Sequence, residues 1–192
     1  MALDLLLFKF FNNLLGISGF LDGVIIFFAN YFFYFLVFFG FWFIFQISKG
    51  LKNKIFVLIF FILALIVSKG IITSTIYFFY NRPRPFEVLD FEPLFLNNYP
   101  SFPSGHTVFL FVFGFIIFYF NRRLGWWFLG FSLLNSVARV VAGVHWPSDI
   151  IGGVVISFLS FLITLKLIKK YQPENFSNQS SQGFLKKHKF SF

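Results

Sequence analysis

The chain of 192 residues has no cysteine, one methionine and little charge, since only 12% of its residues are Asp, Glu, Lys or Arg. Without cysteine there is no disulfide framework, no thiol nucleophile and no thiolate metal site. A water-soluble domain carries about 25% charged residues, because its surface must face water. The low charge therefore excludes a soluble globular enzyme, a disordered protein and a nucleic-acid-binding module.

Apolar side chains are abundant instead: 58% of the residues are hydrophobic, 37 Phe among them, and the mean hydropathy is +0.80. This composition is typical of a protein surrounded by membrane lipids, and the length suits one compact unit. The formal net charge is +9. In a membrane protein such an excess of Lys and Arg reports orientation, so no nucleic-acid partner is expected.

Five apolar stretches are candidates for membrane-spanning helices, which need about 20 mostly apolar residues. They cover residues 24–47, 55–80, 107–120, 124–144 and 148–168. A sixth stretch, residues 3–17, has apolar residues at helical spacing with Lys9 and Asn12 opposite them, so it predicts an interfacial helix or a sixth span. Asp4 stands where a signal peptide would be basic, which argues against a cleaved leader. The predicted fold class is all-α, a polytopic membrane helix bundle.

The loops between these stretches predict an orientation. Basic residues form three clusters: Lys49, Lys52 and Lys54; Arg122 and Arg123; and Lys166, Lys169 and Lys170. If the five spans alternate, all three clusters lie on one side, which the positive-inside rule makes cytoplasmic. We therefore predict an amphipathic helix in residues 1–22, a membrane-embedded domain in 23–170 and a polar, basic cytoplasmic tail in 171–192.

The remaining ionisable residues concentrate on the predicted outer side, in three motifs. These are Arg82-Pro83-Arg84-Pro85, then Pro103-Ser104-Gly105-His106, and finally Arg139 followed by His145 and Asp149. Although they follow different spans, they share one face of the membrane. We therefore expect the three motifs to meet in space.

The second motif precedes a long apolar helix, and its composition suits an anion. Ser104 is a good N-cap, and the free N–H groups of a helix start bind anions. Gly105 leaves room for an oxyanion to approach the backbone, and His106 beside it gives or takes a proton near neutral pH. The alternative is a capped helix with an incidental interfacial histidine.

The third motif places charged groups at the end of an apolar helix. Arg139 costs about a few kcal/mol there unless it is paired or hydrated, which makes it a functional candidate. Asp149 follows His145 by four residues, so one helical turn lets its carboxylate bind one imidazole nitrogen and leaves the other as a nucleophile or base. The alternative is an ion pair that only fastens the loop.

In the first motif Arg82 and Arg84 alternate with prolines, which keep the backbone extended. Guanidinium groups match phosphate oxygens in pairs, although anchoring to lipid head groups is the alternative, above all for Arg82. Guanidiniums, a helix start, two imidazoles and a carboxylate suit phosphoryl transfer. The motifs lack the clustered carboxylates that Mg²⁺ or Zn²⁺ prefers, so we predict a mechanism without metal or cofactor.

The motifs resemble those of the type 2 phosphatidic acid phosphatase superfamily of membrane lipid phosphatases, which carry KxxxxxxRP, PSGH and SRxxxxxHxxxD. The second motif is complete, the third runs from Arg139 through His145 to Asp149, and the first survives as Arg84-Pro85. The resemblance covers about residues 55–168.

Two positions depart from the family pattern. Tyr77 stands at the place of the Lys in the first motif, and Ala138 at the place of the Ser in the third. Losing the Lys removes a phosphate ligand that Arg82 is a candidate to replace, and it argues against the related vanadium haloperoxidases. Lys69 lies near mid-membrane, where it is either a polar contact inside the bundle or a side chain that snorkels to the interface.

The resemblance implies a phosphohistidine intermediate. His145 is expected to attack the phosphorus, Asp149 to orient it, and His106 to protonate the leaving oxygen and then activate water. The resemblance further implies a set of phosphate-binding groups: Arg84, Arg139, Ser104 and the Gly105 backbone, with Arg82 as the added candidate.

Within the superfamily, the short length and the residues 79–86 look most like the small bacterial undecaprenyl-diphosphatases linked to bacitracin resistance. This implies hydrolysis of undecaprenyl diphosphate for cell-wall synthesis at the outer face of the plasma membrane. Other lipid phosphates remain open as substrates, namely phosphatidylglycerophosphate, phosphatidic acid and a lipid A phosphate, because the motifs bind phosphate and not the tail. A non-catalytic protein that binds or moves lipid phosphates is a second alternative.

Overall fold

The computed structural model of the chain describes residues 2–47 and 50–173, and all regular structure in these two ranges is helical. The predicted all-α fold class is therefore confirmed. Lys49 of the first basic cluster and residues 174–192 of the predicted tail lie outside the described residues.

The described ranges contain nine α-helices. They are α1 (Ala2–Asn12), α2 (Gly19–Ile26), α3 (Phe32–Ile47), α4 (Leu51–Leu65), α5 (Ser74–Phe79), α6 (Pro85–Leu89), α7 (Gly105–Phe120), α8 (Arg122–Val141) and α9 (Pro147–Ile168). The π-helical turns Phe27–Tyr31 and Ile66–Thr73 join α2 to α3 and α4 to α5, so each pair forms one long helix.

Four helices are long and apolar enough to cross a membrane, and each coincides with a predicted span. They are Gly19–Gln46, Leu51–Phe79, Arg122–Val141 and Pro147–Tyr171. The remaining predicted span is α7, whose 16 residues give about 24 Å at 1.5 Å per residue, less than the ~30 Å of the hydrocarbon core. Because α7 lies between α3, α4, α8 and α9, protein covers most of its length and a shorter helix suffices.

The N-terminal helix α1 ends at Asn12, earlier than the predicted end near Ile17. It packs against α8 and α9 through Phe8, which is buried in a small cluster with Trp146. The apolar stripe recognised in the sequence points away from the protein and is exposed at Leu3, Leu6 and Phe10. The stripe is therefore free to contact lipid, and the interfacial position of α1 stays a prediction.

The core of the bundle is built from aromatic and branched side chains around α7. Phe61 and Phe113 lie with ring centroids 3.8 Å apart inside this core. Gly125 lets α8 approach α7 closely, because a Cβ at this position would lie 2.2 Å from the Phe118 Cα. The two helices therefore hold the residues at their opposite ends in a fixed relation.

The bundle has two chemically different ends. At one end Tyr119 Oη donates to Gln172 Oε1 at 3.2 Å, and the helix ends there carry the basic residues Lys52, Lys54, Arg122, Arg123, Lys166, Lys169 and Lys170. The other end carries the loop 80–104, the start of α7 and the turn 142–146 between α8 and α9. Which side of the membrane each end faces stays a prediction.

Candidate active site

The three motifs lie in one place, although they are far apart in the chain. Arg84 Nη1 donates to the Val144 carbonyl, which joins the loop 80–104 to the turn 142–146. The Ser104 N–H donates to the Asp149 carbonyl at 3.1 Å and thereby joins the start of α7 to that of α9.

His145 is held through one of its two ring nitrogens. Nδ1 lies 3.0 Å from the Ser101 carbonyl oxygen and 3.4 Å from Asp149 Oδ2. Because both neighbours are acceptors, Nδ1 carries the proton and Nε2 keeps its lone pair. Burial lowers the pKa of His145 to about 4, while the hydrogen bond with Asp149 acts in the opposite direction. The imidazole is therefore neutral near pH 7, as a nucleophile requires.

Asp149 lies in the first turn of α9, which begins at Pro147, a residue that suits the first position of a helix. Its carboxylate is fully buried. It accepts from the Ser101 hydroxyl at 2.5 Å, from the Trp146 N–H at 2.8 Å and from Arg82 Nη1 at 2.5 Å. These contacts fix the carboxylate, which in turn limits the orientation of the His145 ring.

Arg84 is 2% exposed and connects two loops through their carbonyls. Its Nε donates to the Tyr99 carbonyl at 2.8 Å, and its backbone N–H donates to Glu87 Oε2 at 2.6 Å in the first turn of α6. Burial lowers the pKa of Arg84, which nearby Tyr77, Asp149 and Glu87 oppose. A guanidinium has five N–H donors, so further donors remain for a ligand.

Two buried donors of the site lack a hydrogen-bond partner among the described residues, Arg139 Nε and Ser104 Oγ. Arg139 is anchored by Nη1, which donates at 2.9 Å to the Ala29 carbonyl in the first π-helical turn. Ser104 occupies the predicted N-cap position of α7, but its hydroxyl does not cap the helix. A buried unsatisfied donor costs about 1–3 kcal/mol, so these two atoms point to a hydrogen-bond acceptor as ligand.

His106 lies in the first turn of α7 with its ring against Phe33, the centroids being 4.5 Å apart. The charges of four ionisable side chains act on the ring, those of Arg139, His145, Lys69 and Arg84. His106 therefore lies at the same end of the bundle as the other two motifs.

Tyr77 and Lys69 both face the start of α7. Tyr77 Oη donates to the Pro103 carbonyl at 2.8 Å. A Cβ built on Gly105 would lie 3.4 Å from Tyr77 Oη and 3.7 Å from Lys69 Nζ. Lys69 belongs to the second π-helical turn, and such turns are frequent at functional sites. An amino group thus lies beside Gly105, although Tyr77 stands at the Lys position of the first motif.

Arg82 has a different environment from the phosphate site expected for it. Its Nη1 donates to Asp149 Oδ1 and its Nη2 to Asp4 Oδ2, both at 2.5 Å. Burial by itself raises the pKa of Asp4, but hydrogen bonds from Ser148 and the charge of Arg82 bring that pKa below its usual value. The guanidinium is thus shared between two carboxylates, on the side of Asp149 away from His145.

Metal-binding groups are sparse at this end of the bundle. Within residues 2–47 and 50–173, no three His, Asp or Glu side chains lie close enough together to hold one ion. The metal-independent mechanism stays a prediction.

Comparison with known proteins identifies the family to which the chain belongs. The model of the PAP2 superfamily matches residues 58–173. The chain therefore belongs to that superfamily, and it is an integral-membrane lipid phosphatase.

Three individual proteins are similar to the chain in sequence or in structure. The chain is 32% identical over 162 residues to the bacitracin transport permease protein BcrC of Bacillus licheniformis, covering 81% of this chain and 75% of the relative. It is 28% identical over 156 residues to the undecaprenyl-diphosphatase BcrC of Bacillus subtilis strain 168, covering 80% and 78%. The crystal structure of Aquifex aeolicus LpxE superimposes with a TM-score of 0.66 at 29% identity, over 86% of this chain and 96% of that one.

Sequence reasoning missed Ser101, Ser148 and the structural part played by Asp4. Ser101 binds His145 through its carbonyl and Asp149 through its hydroxyl, but no spacing in the sequence distinguishes it. Asp4 did carry a signal, since an acidic side chain in an otherwise apolar helix needs a partner.

Proposed function

We propose that the protein hydrolyses undecaprenyl diphosphate to undecaprenyl phosphate and inorganic phosphate, through a phosphohistidine on His145. The observation that carries the proposal is the geometry of His145, whose Nδ1 faces two acceptors. Nearby, the donors Arg139 Nε and Ser104 Oγ have no partner within the described part of the chain. The choice of lipid is supported by the similarity of the chain to the undecaprenyl-diphosphatase BcrC of Bacillus subtilis.

In the first step, the Nε2 lone pair of His145 attacks the terminal phosphorus of the diphosphate. A P–N bond forms while the bond from that phosphorus to the bridging oxygen breaks. His106 gives its proton to the departing oxygen, so that undecaprenyl phosphate leaves. Asp149 stabilises the positive charge that develops on the imidazole.

In the second step, His106, now neutral, takes a proton from a water molecule that attacks the same phosphorus. The P–N bond breaks, inorganic phosphate leaves, and the electron pair returns to His145. Because both steps concentrate negative charge on the equatorial oxygens, donors that are already in place contribute most. The loss of one such donor costs about 3–4 kcal/mol of transition-state stabilisation.

The phosphate oxygens are bound by Arg84, Arg139, the Ser104 hydroxyl and the Gly105 backbone N–H. Lys69 contributes a further positive charge, since its Nζ lies 3.7 Å from the position of a Cβ on Gly105. This charge compensates for the missing Lys of the first motif.

The position of the site suits a lipid substrate. The motif end of the bundle places the phosphates at the interface, while the apolar helices leave the tail in hydrocarbon. We assign this end to the outer face of the bacterial plasma membrane, from the basic residues at the other end. The reaction there returns the carrier lipid to cell-wall synthesis.

A transport function has one point in its favour, the name of the Bacillus licheniformis relative. Binding and moving a lipid phosphate needs a basic site, but it does not need a neutral imidazole oriented by a buried carboxylate. The His145–Asp149 pair therefore favours hydrolysis.

The test is phosphate release by purified protein from undecaprenyl diphosphate, compared with phosphatidylglycerophosphate, phosphatidic acid and a lipid A phosphate. We expect the highest kcat/KM on undecaprenyl diphosphate and no turnover by His145→Ala. Normal turnover by a folded His145→Ala protein would refute the mechanism, and a preference for another lipid would refute the substrate.

A further inference from the structure

We propose that Asp4 is a positioning residue for the nucleophile, acting on Asp149 through Arg82 and Ser148. The inference rests on the proposed function, because it takes His145 as the nucleophile that Asp149 orients. It assigns a part in the reaction to α1, which lies outside the residues 58–173 matched by the family model.

Asp4 makes three hydrogen bonds to the elements that carry the site. Its Oδ1 accepts from the Ser148 N–H at 3.0 Å, and its Oδ2 accepts from the Ser148 hydroxyl at 2.7 Å and from Arg82 Nη2 at 2.5 Å. The Asp4 side chain is 12% exposed. Exposed ion pairs contribute little, but charges withdrawn from water interact strongly.

Arg82 connects Asp4 to Asp149. Its Nη1 donates to Asp149 Oδ1 at 2.5 Å and to the Ser148 hydroxyl at 2.7 Å. The guanidinium also lies over the Trp146 ring, 5.6 Å from the centroid. With both Nη atoms bound and one face covered, Arg82 transmits the position of α1 to the carboxylate that faces His145.

The same network sets the charge beside the nucleophile. Arg82 paired with Asp149 alone would neutralise that carboxylate, which would then attract the Nδ1 proton of His145 less strongly. Because Asp4 shares the guanidinium, Asp4, Arg82 and Asp149 together keep a net negative charge. This charge stabilises the imidazole when it becomes positive during attack on phosphorus.

Asp4 is not needed to keep α1 in place. Phe8 is 1% exposed, and Asn12 Nδ2 donates to the Val141 carbonyl at 3.1 Å. These contacts hold α1 against α8 and α9 when the carboxylate is removed. The variant Asp4→Asn therefore isolates the charge and the hydrogen bonds of Asp4.

The kinetic test compares full-length Asp4→Asn with Asp22→Asn, in phosphate release from undecaprenyl diphosphate. Asp22 is a matched control, since it lies in the first turn of α2 and accepts only from the Gly16 N–H, at 3.0 Å, among the contacts of the described chain. We expect kcat of Asp4→Asn to fall about tenfold with KM nearly unchanged, and Asp22→Asn to match the wild type. An unchanged kcat, or a raised KM at unchanged kcat, would overturn the proposal.

A second measurement does not depend on turnover. With ¹⁵N-labelled histidine, the chain gives signals from three imidazoles, and His145→Ala assigns that of His145. We expect His145 to carry its proton on Nδ1 in both proteins, because the Ser101 carbonyl and Asp149 remain its acceptors. The Nδ1 signal should shift in Asp4→Asn, because the charge and position of Asp149 change. An unchanged Nδ1 signal in Asp4→Asn overturns the proposal. If the wild type releases no phosphate from the lipid, the proposed function fails, whereas the comparison of the Nδ1 signals still decides the role of Asp4.

Discussion

Replacing Asp149 by Asn removes one charge and changes almost nothing in shape, so it tests how far the carboxylate controls His145. Oδ1 faces Arg82, whereas Oδ2 faces the Ser101 hydroxyl, the Trp146 N–H and His145 Nδ1. An amide has one oxygen and one NH₂ group. In either orientation of the amide, the NH₂ group therefore faces an N–H donor at a place where a carboxylate oxygen accepts in the wild type.

If the amide oxygen replaces Oδ2, its NH₂ group meets Arg82 Nη1 and two donors oppose each other. If the oxygen replaces Oδ1, the NH₂ group meets His145 Nδ1 and favours the tautomer with the proton on Nε2, which cannot attack phosphorus. Each lost hydrogen bond to a charged group costs about 1.5–3 kcal/mol. In the first orientation, the loss of one such bond predicts a kcat about 10- to 100-fold lower. In the second orientation the tautomer is reversed, which in a Ser-His-Asp triad lowers kcat by about 10⁴-fold. We therefore expect kcat to fall by at least about tenfold.

The assay is initial-rate phosphate release in detergent, with thermal unfolding measured on the same samples. Asp90→Asn is the matched control: Asp90 is exposed near the same end of the bundle, and Asn tolerates its φ of 50° as well as Asp does. A folded Asp149→Asn protein whose kcat stays within about tenfold of the wild type would show that the carboxylate does not control His145.

Three further predictions follow from single positions. Gly125→Ala places a methyl group 2.2 Å from the Phe118 Cα, and we expect it to lower the free energy of unfolding by about 1–3 kcal/mol. Gly130→Ala in the same helix is the control and should cause no such loss, because no other group of the described chain lies within 4 Å of the added methyl group. Equal unfolding temperatures for the two variants would contradict the packing of α7 on α8. Lys69→Met keeps the length without the charge and should lower kcat/KM at least about tenfold, so wild-type kinetics would remove Lys69 from the site. Burial lowers the pKa of His145 to about 4, and the neutral imidazole is the form that attacks. We therefore expect kcat/KM to fall only as the pH drops through about 4. A fall centred near pH 6.5 would show that the ring is not buried as described.

The sequence predicted the helices well, because the length of an apolar run is a local property. It failed at the end of α1, where a tertiary contact decides: Asn12 donates to the Val141 carbonyl, 129 residues away. The two π-helical turns were also unpredicted. In the first of them the carbonyls accept from Arg139 and Asn135, so that turn depends on partners in α8 that no local pattern reveals.

The meeting of the three motifs was predictable, because each is a recognisable group of residues, whereas the single residues that support them were not. The spacing of His145 and Asp149 predicted their contact, because residues four apart lie about one helical turn from each other. Ser101 and Asp4 join the same network from 48 and 144 residues away, at Asp149 and Ser148 respectively. For Arg82 the motif suggested a phosphate ligand, whereas in the structure its guanidinium pairs with the two carboxylates of Asp4 and Asp149.

Isolation of the covalent intermediate would show whether the His145 imidazole takes up the phosphoryl group. Undecaprenyl diphosphate labelled at its terminal phosphorus is mixed with enzyme, which is then denatured in base and counted. We expect a base-stable, acid-labile label on the wild type and more of it on His106→Ala. The reason is that undecaprenyl phosphate leaves without a proton more easily than water attacks without a base. Label that persists on His145→Ala, or none on His106→Ala, would rule out this role of His145.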